Sequence, residues 1–269
     1  MHTVLSVNVN KIAWLRNARN GNEPNVGAAS SKIIKAGAAG ITVHPRPDQR
    51  HIRPDDVYEL SSITSSLNVE YNIEGNPTTG SQRNGYPGFM TLVRDTRPTQ
   101  CTLVPDESSQ LTSDHGWNLL DSNQRDTVSH FVSELHELGC RVSIFVDADP
   151  EIVKLVHHTQ ADRIELFTGP WATAVANAGI YGDDSAQWLA KYIEAADAAQ
   201  ELGLDVNAGH DLNLHNVTEF CRAVSVAEVS IGHALIADAL DHGLAPVVRK
   251  YLDAIRQGCE LRDGRRGRT

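Results

Sequence analysis

Three histidines and a glutamate stand directly behind short β-branched or small-residue runs, where extended backbone turns into loop. They are His44 after Gly40-Ile41-Thr42-Val43, Glu74 after Tyr71-Asn72-Ile73, His210 after Asn207-Ala208-Gly209, and His233 after Ser230-Ile231-Gly232. An unperturbed imidazole titrates near ~6.5 and so can give or take a proton around neutrality. A glutamate that ends an apolar run is expensive to bury alone. Glu74 therefore needs either a structural arginine partner or a use in proton transfer. His44, Glu74 and His210 are the proton-transfer candidates.

Cationic groups crowd the first of these turns. The stretch Val43-His44-Pro45-Arg46-Pro47-Asp48-Gln49-Arg50-His51-Ile52-Arg53 carries Arg46, Arg50 and Arg53 beside two histidines, with prolines stiffening the backbone. Most loop arginines only form solvated networks. A loop that leaves a buried strand at its ligand-binding end, however, puts Arg46 where its fork of donors would meet a phosphate. A second anion signal is an echo: "NAGHDL" (Asn207–Leu212) returns 23 residues later as "SIGHAL" (Ser230–Leu235). Glycine allows close backbone approach, and N–H groups at such turns bind phosphate.

Other chemistry is not expected. His157-His158 reads as a helix end, and His210 with His215 lacks the H-E-x-x-H spacing of a metal pair. The glycine-rich motifs G-x-G-x-x-G and G-x-x-x-x-G-K-[ST] are missing, so no metal and no nucleotide cofactor is anticipated.

The elements that must position these groups recur in one pattern. Strand candidates are Val4–Val9, Gly40–His44, Val69–Glu74, Gln100–Val104, Arg141–Val146, Arg163–Phe167, Asp205–Ala208 and Glu228–Ile231. They read as largely apolar, as in parallel strands covered on both faces. Between them run segments of helical period, such as Asp126–Gly139 and Ser185–Gly203, each closed by a glycine, and Pro54-Asp55-Asp56 is a good helix start. A doubly wound sheet would not need eight similar units. The expected fold is α/β, a single (β/α)8 TIM barrel over residues 1–257, followed by a basic, frayed tail over 258–269.

Catalytic groups of such barrels sit where strands end. The strand ends here offer Asn8, Asn10 and Lys11; His44, Arg46 and His51; Glu74; Thr112; Asp147 and Asp149; Glu165 and Thr168; Asn207 and His210; Gly232 and His233. Nearly every one is polar or ionisable.

Charge and composition narrow the partners. A formal charge of −10 over 269 residues argues against nucleic acid and anionic membrane. No apolar run approaches the ~20 residues of a membrane span, and the start shows no leader pattern. Cys101, Cys140, Cys221 and Cys259 lie far apart without a C-x-x-C pair, as expected of reduced thiols in a cytoplasmic protein.

Six collinear motifs, "SVNVNKIAWLRNARNG", "AGITVHPRPDQRHI", "YNIEG", "TLVPDE…LTSDHGW", "VNAGHDLNLHNV" and "EVSIGHALIADAL", together resemble the pyridoxine 5′-phosphate synthase family. The resemblance runs from about Val4 to Ile255. It implies a (β/α)8 barrel in a homo-octamer built from dimers, with no metal or organic cofactor. The implied reaction condenses 1-deoxy-D-xylulose 5-phosphate with 3-amino-2-oxopropyl phosphate, releasing inorganic phosphate and water. It makes His44 and Glu74 proton acceptors and His210 a proton donor. Asn8, Arg19, Asp211, Gly232 and His233 match contacts to the aminoketone phosphate; Arg46, His51 and Thr112 match contacts to the deoxyxylulose phosphate. Many members carry Asp-His where this chain has Asn10-Lys11. The lysine can still meet an anion, but the hydroxyl contacts of an Asp-His pair do not carry over. Asp211 replaces a common glycine, so only its backbone role transfers. From the residues alone, a phosphosugar isomerase or aldolase-type barrel and a non-catalytic phosphometabolite-binding barrel stand as alternatives.

Overall fold

Polar and apolar side chains alternate along most of the strands, and that alternation organises the molecule. The computed structural model describes residues 3–266 except 20, 108 and 109. Its strands are β1 (Val4–Asn8), β2 (Gly40–Val43), β3 (Glu70–Gly75), β4 (Gln100–Leu103), β5 (Arg141–Val146), β6 (Arg163–Phe167), β7 (Asp205–Gly209) and β8 (Glu228–Ile231). All pair in parallel in sequence order, and β8 closes on β1 with Val4 opposite Glu228 and Val7 opposite Ile231. The expected TIM barrel is the observed one.

The expectation of strands apolar on both faces needs correcting. Leu5, Val7, Ile41, Val43, Ile73, Leu103, Ile144, Leu166, Val206 and Val229 are buried and belong to the apolar core outside the barrel wall. The alternate positions fill the interior with polar groups. Thr102 donates to Asn72 (3.1 Å) and lies 3.4 Å from Glu165, two strands away, a contact possible only across the lumen. Ser6 and Thr42 meet at 2.7 Å in the same belt. The reason is the period-2 geometry of a strand: "EYNIE", "QCTL" and "EVSI" place a polar residue at every second position.

The helices are α1 (Asn10–Asn17), α2 (Val26–Lys35), α3 (Pro54–Leu67), α4 (Phe89–Thr96), α5 (Ser122–Glu137), α6 (Pro150–Val156), α7 (Gly169–Ala178), α8 (Asp183–Glu201), α9 (Val217–Ala223), α10 (His233–His242) and α11 (Leu244–Arg266). Local signals set their ends. Pro54 opens α3 with Asp55 and Asp56 in the first turn, while Asn68 closes it in the left-handed region at φ 51°. Beyond α5 and α8, Gly139 (φ 81°) and Gly203 (φ 77°) make the turns that a side chain would strain. His157-His158 does end a helix, as a 3-10 turn after α6.

The tail also departs from expectation. Rather than fraying after residue 257, α11 runs on to Arg266. Cys259 and Arg262 are buried, and the Arg262 guanidinium donates to the carbonyls of Cys221 and Val224 at the C-terminal end of α9 (both 3.3 Å). A cation there satisfies carbonyls that the helix leaves open. Residues 267–269 lie outside the described residues. All four cysteines are buried and free. Among the described residues no helix is long and apolar enough to cross a membrane.

Candidate active site

A cavity of about 280 Å³ opens at the C-terminal mouth of the strands. Its first wall is a relay of asparagines. The Asn8 carbonyl oxygen of the side chain accepts from the Asn10 N–H (3.0 Å), and that of Asn10 accepts from the His44 N–H (2.9 Å). Asn8 also places its amide 3.5 Å from Glu74. This ties the ends of β1, β2 and β3 together and leaves the Asn10 side chain committed to the backbone of His44. Gly232, at the end of β8, packs closely on this wall: an added Cβ would stand 3.0 Å from the Asn8 side chain, which would have to give by a few tenths of an ångström.

His44 sits between two acids, with Nδ1 4.0 Å from Glu74 and Nε2 3.7 Å from Asp106. Burial, reinforced by the charge of Arg46, lowers its pKa to about 3, so at neutral pH it is an uncharged base. With the imidazole uncharged those two contacts are not ion pairs, and at 4.0 and 3.7 Å both lie just beyond direct hydrogen-bond reach. Burial raises Glu74 well above the usual carboxylate range, and the neighbouring Glu165 and Asp106 push it further. Burial likewise lifts Glu165 to about 7. Two desolvated carboxyls facing one lumen do not both ionise easily, which keeps a proton available between them. Gly209 makes room for Glu165, since a Cβ at 209 would fall 2.5 Å from its carboxylate.

The cationic wall comes from the loops after β2 and β4. Arg46 is buried, paired with Asp106, and donates to the Gln110 carbonyl (3.1 Å). Asp106 also accepts from Ser113 (2.8 Å). Arg50 pairs with Asp48 and holds the carbonyls of Gln110 and Leu111. Both arginines thus clip the β4 loop over the mouth. Lys11 differs: its ammonium stands 4.4 Å over the Trp14 ring and has no hydrogen bond or ion pair among the described residues. Burial lowers its pKa, helped by the charges of Arg46 and Arg50. His51 lies beside Trp14, and its Nδ1 accepts from the Ile52 N–H. Burial, then the charges of His44 and Arg46, takes its pKa to about 2, so it is neutral at physiological pH.

His210 closes the site from the β7 side. Its Nε2 is 3.0 Å from the Thr112 hydroxyl, and its ring packs edge-on against Phe167 at 5.2 Å. Burial lowers its pKa, with Asp211 acting in the opposite sense. His210 (φ 88°) and Asp211 (φ 58°) both occupy the left-handed region. That conformation is one glycine adopts without strain and an aspartate does not.

Of the residues expected in the site, the fold gathers Asn8, Asn10, Lys11, His44, Arg46, His51, Glu74, Thr112, His210, Asp211, Gly232 and His233 around this cavity. Arg19 is not among them; it is exposed beyond the end of α1. Asp149 instead caps α6 (accepting from Glu151 N–H at 2.9 Å), and Asp147 faces the Gly116 N–H. Asn207 points into the deeper lumen, where Arg163 donates to it at 3.1 Å. The site also includes residues not singled out beforehand: Trp14, Phe145, Ser113 and Ser230 line it, and Asp106 balances Arg46. Phe145 is the one aromatic at an inward position of β5, a parity readable in "RVSIFV" once the period is known. Asp106 gave no sequence signal, since only the loop's path brings it to Arg46.

Fold and site together define a class: a (β/α)8 barrel whose C-terminal mouth gathers titratable and cationic side chains around one cavity, the end of such barrels where active sites lie. The family model described as pyridoxal phosphate biosynthesis protein PdxJ matches residues 5–257, and the chain belongs to that family. A pyridoxine 5′-phosphate synthase of Xanthomonas campestris pv. campestris (strain B100) is 53% identical over 260 residues, spanning 96% of this chain and 98% of the relative. That of Xylella fastidiosa (strain M23) is 50% identical over 254 residues, spanning 94% and 95%. Among solved structures, a thiamine phosphate pyrophosphorylase from Pyrococcus furiosus superposes with a TM-score of 0.58 at 9% identity, covering 95% of this chain and 96% of that one. An orotidine 5′-monophosphate decarboxylase from Methanocaldococcus jannaschii gives 0.59 at 8% identity, covering 95% and 99%. These two likenesses show the barrel fold.

Proposed function

We propose that the chain is a pyridoxine 5′-phosphate synthase that joins 1-deoxy-D-xylulose 5-phosphate to 3-amino-2-oxopropyl phosphate and closes the pyridine ring, with loss of inorganic phosphate and water. The observation that carries the reading is the convergence of His44, Glu74 and His210 on one cavity with a cationic wall. The reaction has no redox step. It needs an amine to add to a ketone, repeated proton shuttling, and the departure of water and phosphate. Neutral His44 takes protons, the Glu74–Glu165 pair exchanges one, and His210, steadied by Thr112, delivers one to a leaving oxygen. A cationic iminium beside Glu74 would favour its carboxylate and so release the proton that burial holds there.

Two phosphates need two anion sites. Arg46, His51, Thr112 and Lys11 are assigned to the phosphosugar; an entering phosphate would take the place of Asp106 on Arg46. Asn8, Gly232, His233 and the backbone at Asp211 are assigned to the aminoketone phosphate, beside the amino end of α10. Asn10 acts through the backbone of His44. Arg19, exposed beyond α1, reaches this site only if its segment moves inward. An aldolase reading is disfavoured because no strand carries a lysine for a Schiff base. Octameric assembly from dimers rests on the family resemblance, and a cytoplasmic location on the four scattered, free cysteines. The test is incubation of the purified protein with both phosphorylated substrates without added metal, following pyridoxine 5′-phosphate by absorbance and the released phosphate. Product that requires both substrates is the expected result; phosphate binding without product would favour a non-catalytic barrel.

A further inference from the structure

Thr168 occupies the N-cap position of α7, where a threonine ordinarily bonds the open N–H groups of its own helix. Here the side chain makes no such bond. It is fully buried, and it turns away toward the end of β7. The Thr168 hydroxyl lies 2.8 Å from the Gly209 carbonyl and also contacts the carbonyl of His210, while the Thr168 N–H donates to Gly209 (3.0 Å). The next carbonyl, that of Asp211, is held by the amide of buried Asn216 (3.2 Å). Three successive carbonyls are therefore clamped around two residues in the left-handed region, neither of them glycine. Such a conformation is strained for a residue with a side chain and persists only where its surroundings impose it. The consequence falls on one side chain. The turn sets His210 edge-on to Phe167 and within 3.0 Å of Thr112.

We propose that Thr168 is a positioning residue for His210: its buried hydroxyl holds the left-handed turn that aims the imidazole into the cavity. The inference rests on the reading of His210 as the proton donor. Without the hydroxyl, the His210 carbonyl loses its donor, the Gly209 carbonyl keeps only the Thr168 N–H, and the turn relaxes toward ordinary φ, swinging the ring off Thr112. A displacement of about 1 Å at a catalytic group lowers turnover by up to ~100-fold.

The test compares Thr168→Val, which removes the hydroxyl at nearly constant volume, with Thr168→Ser, which keeps it, and runs His210→Ala alongside. Expected for Thr168→Val is a kcat about ten- to a hundred-fold lower, with KM for both phosphorylated substrates within about two-fold. The His210 imidazole titration, followed by NMR, should move up toward the ordinary histidine value as the ring gains water. Thr168→Ser should restore most of kcat and the parental titration. Unchanged kcat and titration in Thr168→Val overturn the proposal. So does a fall in thermal stability with the titration unmoved, which marks a purely structural hydroxyl. Should valine not fold, Thr168→Ala gives the same readouts. A fully active His210→Ala removes the underlying reading itself; an inactive His210→Ala beside an unaffected Thr168→Val sinks the Thr168 role alone.

Discussion

Glu70 and Glu74 stand on one face of β3, four residues and about 13 Å apart, and their surroundings give them opposite uses. At the N-terminal end of the lumen, Glu70 pairs with Arg141 and approaches Glu228, while Arg163 bridges Glu228 (3.7 Å), Asp205 (3.5 Å) and Asn207 (3.1 Å). Burial alone would raise Glu70, but the hydrogen bond with Glu228 and the Arg141 guanidinium bring it below the usual range. Burial and the facing Glu70 push Glu228 well up, so the pair's proton rests there. At the C-terminal end, Glu74 faces a neutral histidine and a second carboxyl, and its one nearby cation, Arg46, is taken by Asp106. The same residue type, half-buried at one end and buried at the other, is held in an ion pair where an arginine matches it and keeps a raised pKa where none does. Desolvation is common to both ends; compensation is what differs.

The comparison breaks first if the C-terminal groups can be removed without loss of chemistry. Glu74→Gln and His210→Ala should each lower kcat by about 10²–10⁴-fold while binding of a phosphorylated substrate, read by calorimetry, changes little. Near-parental turnover in either variant would take that residue out of the mechanism. The converse holds at the other end. Arg163→Met leaves Glu228 and Asn207 buried without their cation and should destabilise the fold by about 3–5 kcal/mol in urea unfolding, yet keep kcat per folded molecule within about two-fold. A large kcat defect there would erase the division.

Smaller effects sharpen it. Lys11→Met should raise KM for 1-deoxy-D-xylulose 5-phosphate roughly ten-fold, the scale of one charge-assisted hydrogen bond, and Lys11→Arg should recover most of it; an unmoved KM means the uncommitted ammonium meets no anion. Because Glu74 and Glu165 are raised, activity should climb with pH through a limb to which Glu165, at about 7, contributes. His44, at about 3, contributes none there. Glu165→Gln removes the like charge and should move that limb of kcat/KM to lower pH; a limb that stays put denies the coupling. The smallest effect is on stability. A carboxyl raised on folding holds its proton more tightly folded, so stability falls as pH climbs from the unfolded value of ~4.3 through the folded one. Glu74→Gln escapes that loss and should melt about 2–4 °C higher at pH 8, with the gain vanishing near pH 4.

Much of this was legible in one dimension. All eight strands fall within a residue of where β-branched runs and turn signals put them, because strand and helix periods are local properties. His44, Glu74 and His210 were legible for the same reason: a barrel converts "just past a strand" into "at the mouth". What was not legible depended on partners distant in sequence. Arg46 and Asp106 are 60 residues apart, and nothing local tells a free guanidinium from a paired one. Arg262 reads as part of a solvated tail until α9 supplies carbonyls 38 and 41 residues upstream.

The sequence by itself therefore determined the eight-fold alternation, which titratable groups stand just past the strands and the end of the barrel that gathers them. Only the tertiary structure decided which of the charged groups are compensated, that the lumen is polar, and that the turn at His210 is held left-handed by a threonine 42 residues away. Backbone periodicity is written along the chain. The energy of a buried charge depends on what lies across a few ångströms of space, and only the folded chain supplies that.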